Sequence, residues 1–100
     1  MSAGYKLVKI TTSDKPKKKM MAMFMNKKTK RLKTVHFGAK GMDDYTITKD
    51  KEQRARYRSR HKKDLSTGNP MRAGYLSYYI LWGDSTSKRA NIASYKRRFF

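Results

Sequence analysis

The side chains that could do chemistry in this chain are overwhelmingly cationic. Lysine and arginine supply 26 of the 100 residues against seven aspartates and glutamates, so the formal net charge is +19 at pH 7. Ammonium and guanidinium groups in such excess attract polyanions and acidic protein surfaces, because the chain's own carboxylates are too few to neutralise them. The composition therefore predicts contact with phosphate or carboxylate groups as the main chemistry of the chain.

Two segments hold most of the predicted contacts, namely residues 27–33, which form a polar stretch between two apolar runs, and residues 54–63, which have a helical pattern. A two-stranded ribbon or a helix fits the major groove of a duplex, and its cations release condensed counterions. Arginines that alternate around a helix favour sequence-independent contact, although a charge run is also typical of a solvated face. The predicted polyanion-binding residues are Lys17, Lys18, Lys19, Lys27, Lys28, Lys30, Arg31, Lys33, Lys40, Arg54, Arg56, Arg58, Arg60, Lys62 and Lys63.

Catalytic chemistry has little support in the sequence. Asp43, Asp44 and Asp50 could hold a divalent cation for nuclease chemistry, and His36 or His61 could act as a general base. The pattern favours the simpler interpretation that the same aspartates cap a turn and a helix and pair with neighbouring arginines. No cysteine is present, so thiolate metal sites and disulfides are excluded. We expect a non-enzymatic protein with no cofactor, no metal and no small-molecule substrate.

Two further motifs have competing interpretations. Gly38-Ala-Lys-Gly41 matches the GxxG loop that clamps nucleic-acid backbone in KH domains. That loop joins two helices, whereas here the motif follows a predicted strand, which favours a simple glycine turn. Tyr75, Tyr78, Tyr79 and Trp82 could stack on bases, but aromatic residues at helical spacing are more typical of a core. Tyr78 is the best candidate for an exposed stacking ring.

The segments that must position these residues begin with short strands. Residues 5–10 suit a short strand or an extended arm, and residues 11–19 contain a proline and read as a basic linker. Met20–Met25 is wholly apolar and Leu32–Phe37 alternates, with the polar loop 26–31 between them. This pattern predicts a β-hairpin with a basic tip, although helical turns remain open for the methionine run.

The remaining segments favour helices. Tyr45–Ile47 suits a third strand, after which Asp50 can cap a helix that extends to Lys63. The apolar run 75–82 predicts a buried helix that ends at Gly83, and an amphipathic helix follows it. The predicted fold class is α+β, with a small β-hairpin or three-stranded sheet followed by three helices and an extended basic N-terminal arm.

Two units are expected from this pattern, a basic extended arm and linker at residues 1–19 and a small α+β domain at residues 20–100. A domain of this size has a small core, so a partner that neutralises its charge should stabilise it. No segment approaches the about 20 apolar residues of a membrane-spanning helix. Lys15–Lys19 suits either a nuclear-import patch or a solvated linker.

Several segments together resemble a family of short basic proteins that are encoded by large nucleocytoplasmic DNA viruses of algae and amoebae. The resemblance lies within roughly residues 20–100, and it is carried mainly by His36-Phe-Gly38, Gly41–Thr46, Leu81–Thr86 and Tyr95–Phe99. The family has no established activity, so no catalytic role carries over. The resemblance implies a virion structural protein of minor capsid or cement type, with acidic capsid proteins as partners, present in the virion and in the host cytoplasm or nucleus during infection. The alternative is a sequence-independent nucleic-acid-binding protein associated with the viral genome.

Overall fold

One antiparallel sheet forms the first part of the fold in a computed structural model that describes residues 4–100. The hairpin expected from the alternating pattern is confirmed, with Met20 opposite Phe37 and Met25 opposite Leu32. The strand order follows the chain, so each strand pairs with its sequence neighbour. The strands are β1 (Tyr5–Thr12), β2 (Lys18–Asn26) and β3 (Leu32–Ala39).

The first strand replaces most of the expected N-terminal arm. β1 pairs along β2 from Tyr5 opposite Asn26 to Thr12 opposite Met20, with a bulge at Val8. The extended arm is therefore not confirmed for this segment, and residues 1–3 lie outside the described residues. The expected boundary between residues 19 and 20 falls inside β2.

Helical segments follow the sheet, which confirms the α+β class. The third strand expected at Tyr45–Ile47 is wrong, because these residues form a helical turn that Asp44 caps by accepting a hydrogen bond from Thr46 N at 2.8 Å. Asp50 caps the next helix as expected, accepting from the backbone of Glu52. The segments are α1 (Tyr45–Thr48), α2 (Lys51–His61), a 3₁₀ segment (Lys62–Thr67), α3 (Ala73–Leu76), a π-helical segment (Ser77–Leu81) and α4 (Lys88–Phe99).

The core lies between one face of the sheet and the helices. Phe24 and Phe37 on the sheet pack with Leu76, Ile80 and other apolar residues of the helical part. The expectation that Trp82 belongs to the core is confirmed, since it is 7% exposed. Burial of these side chains stabilises the fold by about 1.5–3 kcal/mol each before the cost of ordering the chain is counted.

A buried amide fastens α4 to the loop that precedes it. Asn91 Nδ2 donates to the carbonyls of Ile80 and Ser85, each at 2.8 Å, and Asn91 Oδ1 accepts from Ser85 N at 3.1 Å. Gly83 is required here because an added Cβ would lie 2.1 Å from the carbonyl oxygen of Tyr79. These contacts fix the loop whose carbonyls at residues 82–84 accept hydrogen bonds from arginines of α2.

Candidate polyanion-binding surface and central cleft

The hairpin tip, defined as residues 26–33, has a turn that its own hydrogen bonds hold in place. Asn26 Oδ1 accepts from Lys28 N at 2.9 Å and from Thr29 N at 3.0 Å. Lys30 adopts a left-handed backbone with φ of 65°, and its N–H donates to Asn26 O at 2.8 Å. A short polar side chain that bonds its own backbone fixes such a turn. The tip therefore presents its side chains from a defined backbone.

All five cations that the sequence assigned to the hairpin tip are exposed, namely Lys27, Lys28, Lys30, Arg31 and Lys33. Among the residues that the structure describes, Lys19 and Arg58 are the Lys or Arg side chains that form an ion pair with a carboxylate. The cations of the tip thus keep their full charge for an external partner. Their mutual repulsion is a cost that an anionic partner would relieve.

Arginines on α2 are divided between two faces, which the alternating sequence pattern did not indicate. Arg54 Nη1 donates to Gly83 O at 3.2 Å and to Asp84 O at 3.3 Å, and its guanidinium lies 4.8 Å from the ring centroid of Tyr45. The inward side of α2 therefore binds the fold itself. A planar guanidinium suits this task because it donates in a fixed fork and stacks on rings.

Arg58 repeats this arrangement one turn later along α2. Its Nε donates to Trp82 O at 2.9 Å, and its Nη2 donates to Asp84 Oδ1 at 3.2 Å. The guanidinium also covers one face of Tyr78 at 5.1 Å from the ring centroid. Arg54 and Arg58 therefore both bind the fold itself, and their predicted contact with a polyanion stays a prediction. The cations of α2 and the segment after it that remain exposed are Lys51, Arg56, Arg60, Lys62 and Lys63.

The predicted lysines at the other end of the sheet also differ in role. Lys19 Nζ lies 2.5 Å from Asp44 Oδ2, and the two side chains are 12% and 1% exposed. A buried carboxylate is costly unless it is paired, so Lys19 neutralises the residue that caps α1. Lys17, Lys18 and Lys40 are exposed and extend the basic surface at this end.

A basic segment that the prediction omitted lies beside the hairpin tip. The ring of Phe100 lies 5.3 Å from that of Phe24, so the C-terminal end of α4 packs at the tip end of the sheet. The last turn of α4 exposes Lys96, Arg97 and Arg98. Their outward spacing was visible in the sequence, but their position beside the tip depends on a contact between residues 76 positions apart.

A central cleft of about 620 Å³ lies between the end of the sheet opposite the hairpin tip, α2 and the π-helical segment. The start of β2 and the end of β3 form its wall on the side of the sheet. Its walls include the Lys19–Asp44 pair and a His61–Asp64 pair, in which Nδ1 and Oδ2 are 3.1 Å apart. Each aspartate thus lies within hydrogen-bonding distance of a basic side chain of the protein. The volume suits a small ligand, and the exposed carboxylate of Asp43 also lines the cleft.

Three stacked rings line the same cleft. The Tyr57 ring lies 4.3 Å from that of Trp82 and 4.1 Å from that of His61. Burial and the nearby charge of Asp64 raise the pKa of Tyr57, against the smaller lowering effects of a hydrogen bond with Ser77 and of the Arg60 charge. Tyr57 is therefore a neutral ring with both faces covered, and the indole of Trp82 is used in packing.

The residues considered for metal-dependent chemistry are not brought together. Asp44 and Asp50 cap different helices, and His36 Nδ1 lies 2.7 Å from Ser13 Oγ. Across residues 4–100, no group of three or more His, Asp or Glu side chains is arranged to hold a metal ion. Asp44 and Asp50 therefore have capping roles, and Asp43 is exposed.

The glycine motif joins a strand to a helix, as expected for a turn. Gly38 and Gly41 have φ values of +79° and +88°, and Met42 N donates to Ala39 O at 3.2 Å. An added Cβ at Gly38 would lie 2.6 Å from Leu81 Cδ1. The loop therefore serves close packing, and it lacks the two flanking helices of a KH clamp.

The chain belongs to a family of unknown function (DUF5754), whose sequence profile matches residues 8–61, more than half of the chain. The match includes the sheet from Val8 onward, the hairpin tip and α2. No curated protein sequence and no solved structure matches the chain. None of the helices within residues 4–100 has the length and apolar character needed to span a membrane.

Proposed function

We propose that the protein is a non-enzymatic structural protein that binds acidic partners through its exposed Lys/Arg surface. The observation that carries this proposal is the lack of internal pairing: of 26 cationic side chains, Lys19 and Arg58 form ion pairs with carboxylates within residues 4–100. The acids that might have neutralised the others are used elsewhere, for example Asp50 as a helix cap. The unpaired charge requires a counter-surface, which an acidic partner supplies.

Binding is centred on the hairpin tip in this proposal. Its turn is fixed by Asn26, so less conformational entropy is lost when its side chains engage a partner. The basic end of α4 lies at the same end of the sheet and widens the surface. By contrast, α2 contributes through its outward residues alone, since Arg54 and Arg58 are held by the fold.

The resemblance to small basic viral proteins supports a place in a virus particle, as a minor capsid or cement protein beneath acidic capsid subunits. A protein of this kind remains with purified shells after nuclease has removed the nucleic acid. Quantifying the chain in shells before and after nuclease treatment tests this role. Release of the chain together with the genome would contradict it.

A specific observation also favours a second candidate, sequence-independent binding of nucleic acid. The tip is a two-stranded ribbon with five exposed cations, a shape that enters the major groove, and none of its side chains is fixed in a geometry for base readout. In this role the tip would grip the phosphate backbone of the viral genome.

Salt titration separates the two candidates. The purified protein is titrated with a labelled random duplex and, in parallel, with labelled polyglutamate from low to physiological salt. An acidic-protein binder keeps affinity for the polypeptide while its duplex affinity disappears by physiological salt. Retained duplex affinity, with a slope of about 0.9 in log K against log salt for each phosphate contacted, would instead favour the nucleic-acid role. Loss of both affinities at low salt would contradict the proposal altogether.

A further inference from the structure

The apolar run in β2 has more apolar side chains than the core of the fold buries. Residues 20–25 are all apolar, a pattern typical of a strand that is buried on both faces. The helices cover one face alone, where Met20, Ala22 and Phe24 are buried. Met21, Met23 and Met25 alternate with them, belong neither to this core nor to the apolar residues packed against it, and are half-exposed.

These methionines form the centre of the open sheet face, the side of the sheet away from the helices. Residues paired directly across antiparallel strands share a face, so the register identifies its members. They are Lys6, Lys9, Thr11, Met21, Met23, Met25, Leu32, Thr34 and His36. Leu32 is 58% exposed, and Val8 in the neighbouring bulge is 41% exposed. A contiguous apolar stripe of this kind on a small protein marks a contact surface.

The charge around the stripe determines what can cover it. Lys6 and Lys9 lie beside it on β1, and none of the paired residues that form the open sheet face is an Asp or Glu. The exposed Asp14 lies at the edge of this face, with its Oδ1 4.0 Å from His36 Nε2. A second copy of the chain would bring another +19 charge against the same lysines and is repelled. The complementary partner is apolar along its centre and acidic along its margins.

We propose that the open sheet face is a docking site for an acidic amphipathic helix of a partner protein. This rests on the proposed function in that the partner is acidic, and it adds that the partner also buries an apolar stripe. The partner's apolar side chains pack on Met21, Met23 and Met25, whose flexible thioethers adapt to irregular surfaces. Its carboxylates lie along Lys6 and Lys9. Such a helix completes a third layer, as the apolar pattern of β2 requires.

The dimensions of the face fit a short helix. From Met21 to Met25 the strand rises by about 13 Å at about 3.3 Å per residue. A helix that runs along this stripe needs about nine residues at 1.5 Å each, which is between two and three turns. The partner segment is thus expected to carry apolar residues at i, i+3 or i+4, and i+7.

The test uses two synthetic peptides with the same Leu, Ala and Glu content. One places its leucines on a single helical face, and the other has a scrambled order that keeps the charge and loses the stripe. Fluorescence anisotropy at physiological salt is expected to show at least tenfold tighter binding of the amphipathic peptide. Equal affinities would overturn docking on the stripe and would leave simple charge attraction, and therefore the proposed function, intact.

Matched variants locate the binding site. Met23→Thr keeps a residue suited to strands and removes apolar contact, and about a tenfold loss of affinity is expected. Met42→Thr is the control, because Met42 is 64% exposed and lies outside the sheet. In the same way, Lys6→Gln with Lys9→Gln is compared with Lys62→Gln with Lys63→Gln, which removes equal charge far from the face. Equal losses of affinity for the peptide within each matched pair would contradict a binding site on the open sheet face.

Methionine oxidation provides a readout that needs no mutation. Mild peroxide treatment followed by peptide mass spectrometry measures sulfoxide at each methionine. The amphipathic peptide is expected to protect Met21, Met23 and Met25 and to leave Met42 reactive. Protection by a higher concentration of the protein alone would identify a second copy as the occupant, and protection by anionic vesicles but not by peptide would identify a lipid surface. Either result overturns the inference but leaves the proposed function intact, because the salt titration tests that function separately.

Discussion

The hairpin tip and α2 carry similar positive charge but use it in opposite ways. At the tip, five cations extend from a fixed turn, and none of them forms an ion pair within the described residues. On α2, Arg54 and Arg58 turn inward and donate to carbonyls at residues 82–84. The tip has four lysines and one arginine, whereas Arg54 and Arg58 of α2 serve as packing groups.

This difference follows from the chemistry of the two cations. A guanidinium is weakly hydrated, planar and able to lie on an aromatic ring, so it can hold two elements together. An ammonium is a strongly hydrated point charge that favours water or an external anion. Charge along a sequence therefore does not by itself locate a binding surface. The type of cation and its distance from aromatic residues and free carbonyls separate structural positions from binding positions.

The largest effect on stability is expected on the α2 side of the molecule, where Tyr57 stacks on the indole of Trp82. Trp82→Ala should lower the free energy of unfolding by about 3–5 kcal/mol, because it removes a buried ring and the stack with Tyr57. Urea denaturation followed by far-UV circular dichroism measures the change. Unchanged stability would show that this side of the molecule is not held by the aromatic stack.

The inward and outward arginines of α2 allow a direct comparison on one helix. Arg58→Ala should cost about 2 kcal/mol, since it removes the hydrogen bond to Trp82 O, the contact with Asp84 and the cover of Tyr78. Arg56→Ala, which removes an exposed cation, should change stability by less than about 0.5 kcal/mol. Arg58→Lys should not restore the loss because an ammonium lacks the fork. Equal costs for both alanine variants would remove the distinction between the two faces.

Alkaline pH should weaken the helical side of the molecule through Tyr95. Burial raises the pKa of Tyr95, whose hydroxyl donates to Pro70 O. Above pH 10 the unfolded chain loses this proton and the folded protein keeps it, so the free energy of unfolding falls as pH rises, by at most about 1.4 kcal/mol per pH unit. The free energy of unfolding, measured by denaturation between pH 8 and pH 11, should therefore fall less steeply with pH for Tyr95→Phe than for the wild type. Identical slopes would mean that the phenol ionises in the folded state.

The smallest stability effect is expected at the hairpin tip. Replacing Lys27, Lys28 and Lys30 together by Gln should leave the free energy of unfolding within about 0.5 kcal/mol, or raise it slightly through reduced repulsion. Thermal and urea denaturation at low and high salt check this. A large loss of stability would show that the tip lysines make contacts that hold the fold.

Local patterns were sufficient to predict the hairpin and the start of α2. Alternation from Leu32 to Phe37 identifies a half-buried strand, and Asp50 precedes a helical pattern at the capping position. The exposed cations of the tip followed from the same hairpin. These features depend on residues close in sequence, which is why they could be found without the tertiary structure.

Features that depend on distant contacts could not be predicted in this way. Whether residues 5–10 form an arm or a strand is decided by pairing with β2. The inward position of Arg58 depends on a carbonyl 24 residues away, and the proximity of α4 to the tip depends on the contact between Phe24 and Phe100. Tyr45–Ile47 was mistaken for a strand because the capping side chain of Asp44 overrides its β propensity.

The central claim is that the fixed, unpaired cations of the tip bind the acidic partner and that α2 mainly holds the fold. The most direct test compares two variants with equal loss of charge, Lys27→Gln, Lys28→Gln and Lys30→Gln together, and Arg56→Gln, Lys62→Gln and Lys63→Gln together. Their affinities for labelled polyglutamate are measured across salt beside the wild type. We predict at least a tenfold loss with a shallower salt dependence for the tip variant, and a much smaller loss for the variant of α2 and the following 3₁₀ segment. Equal losses in the two variants would contradict the claim and would show that net charge alone sets binding.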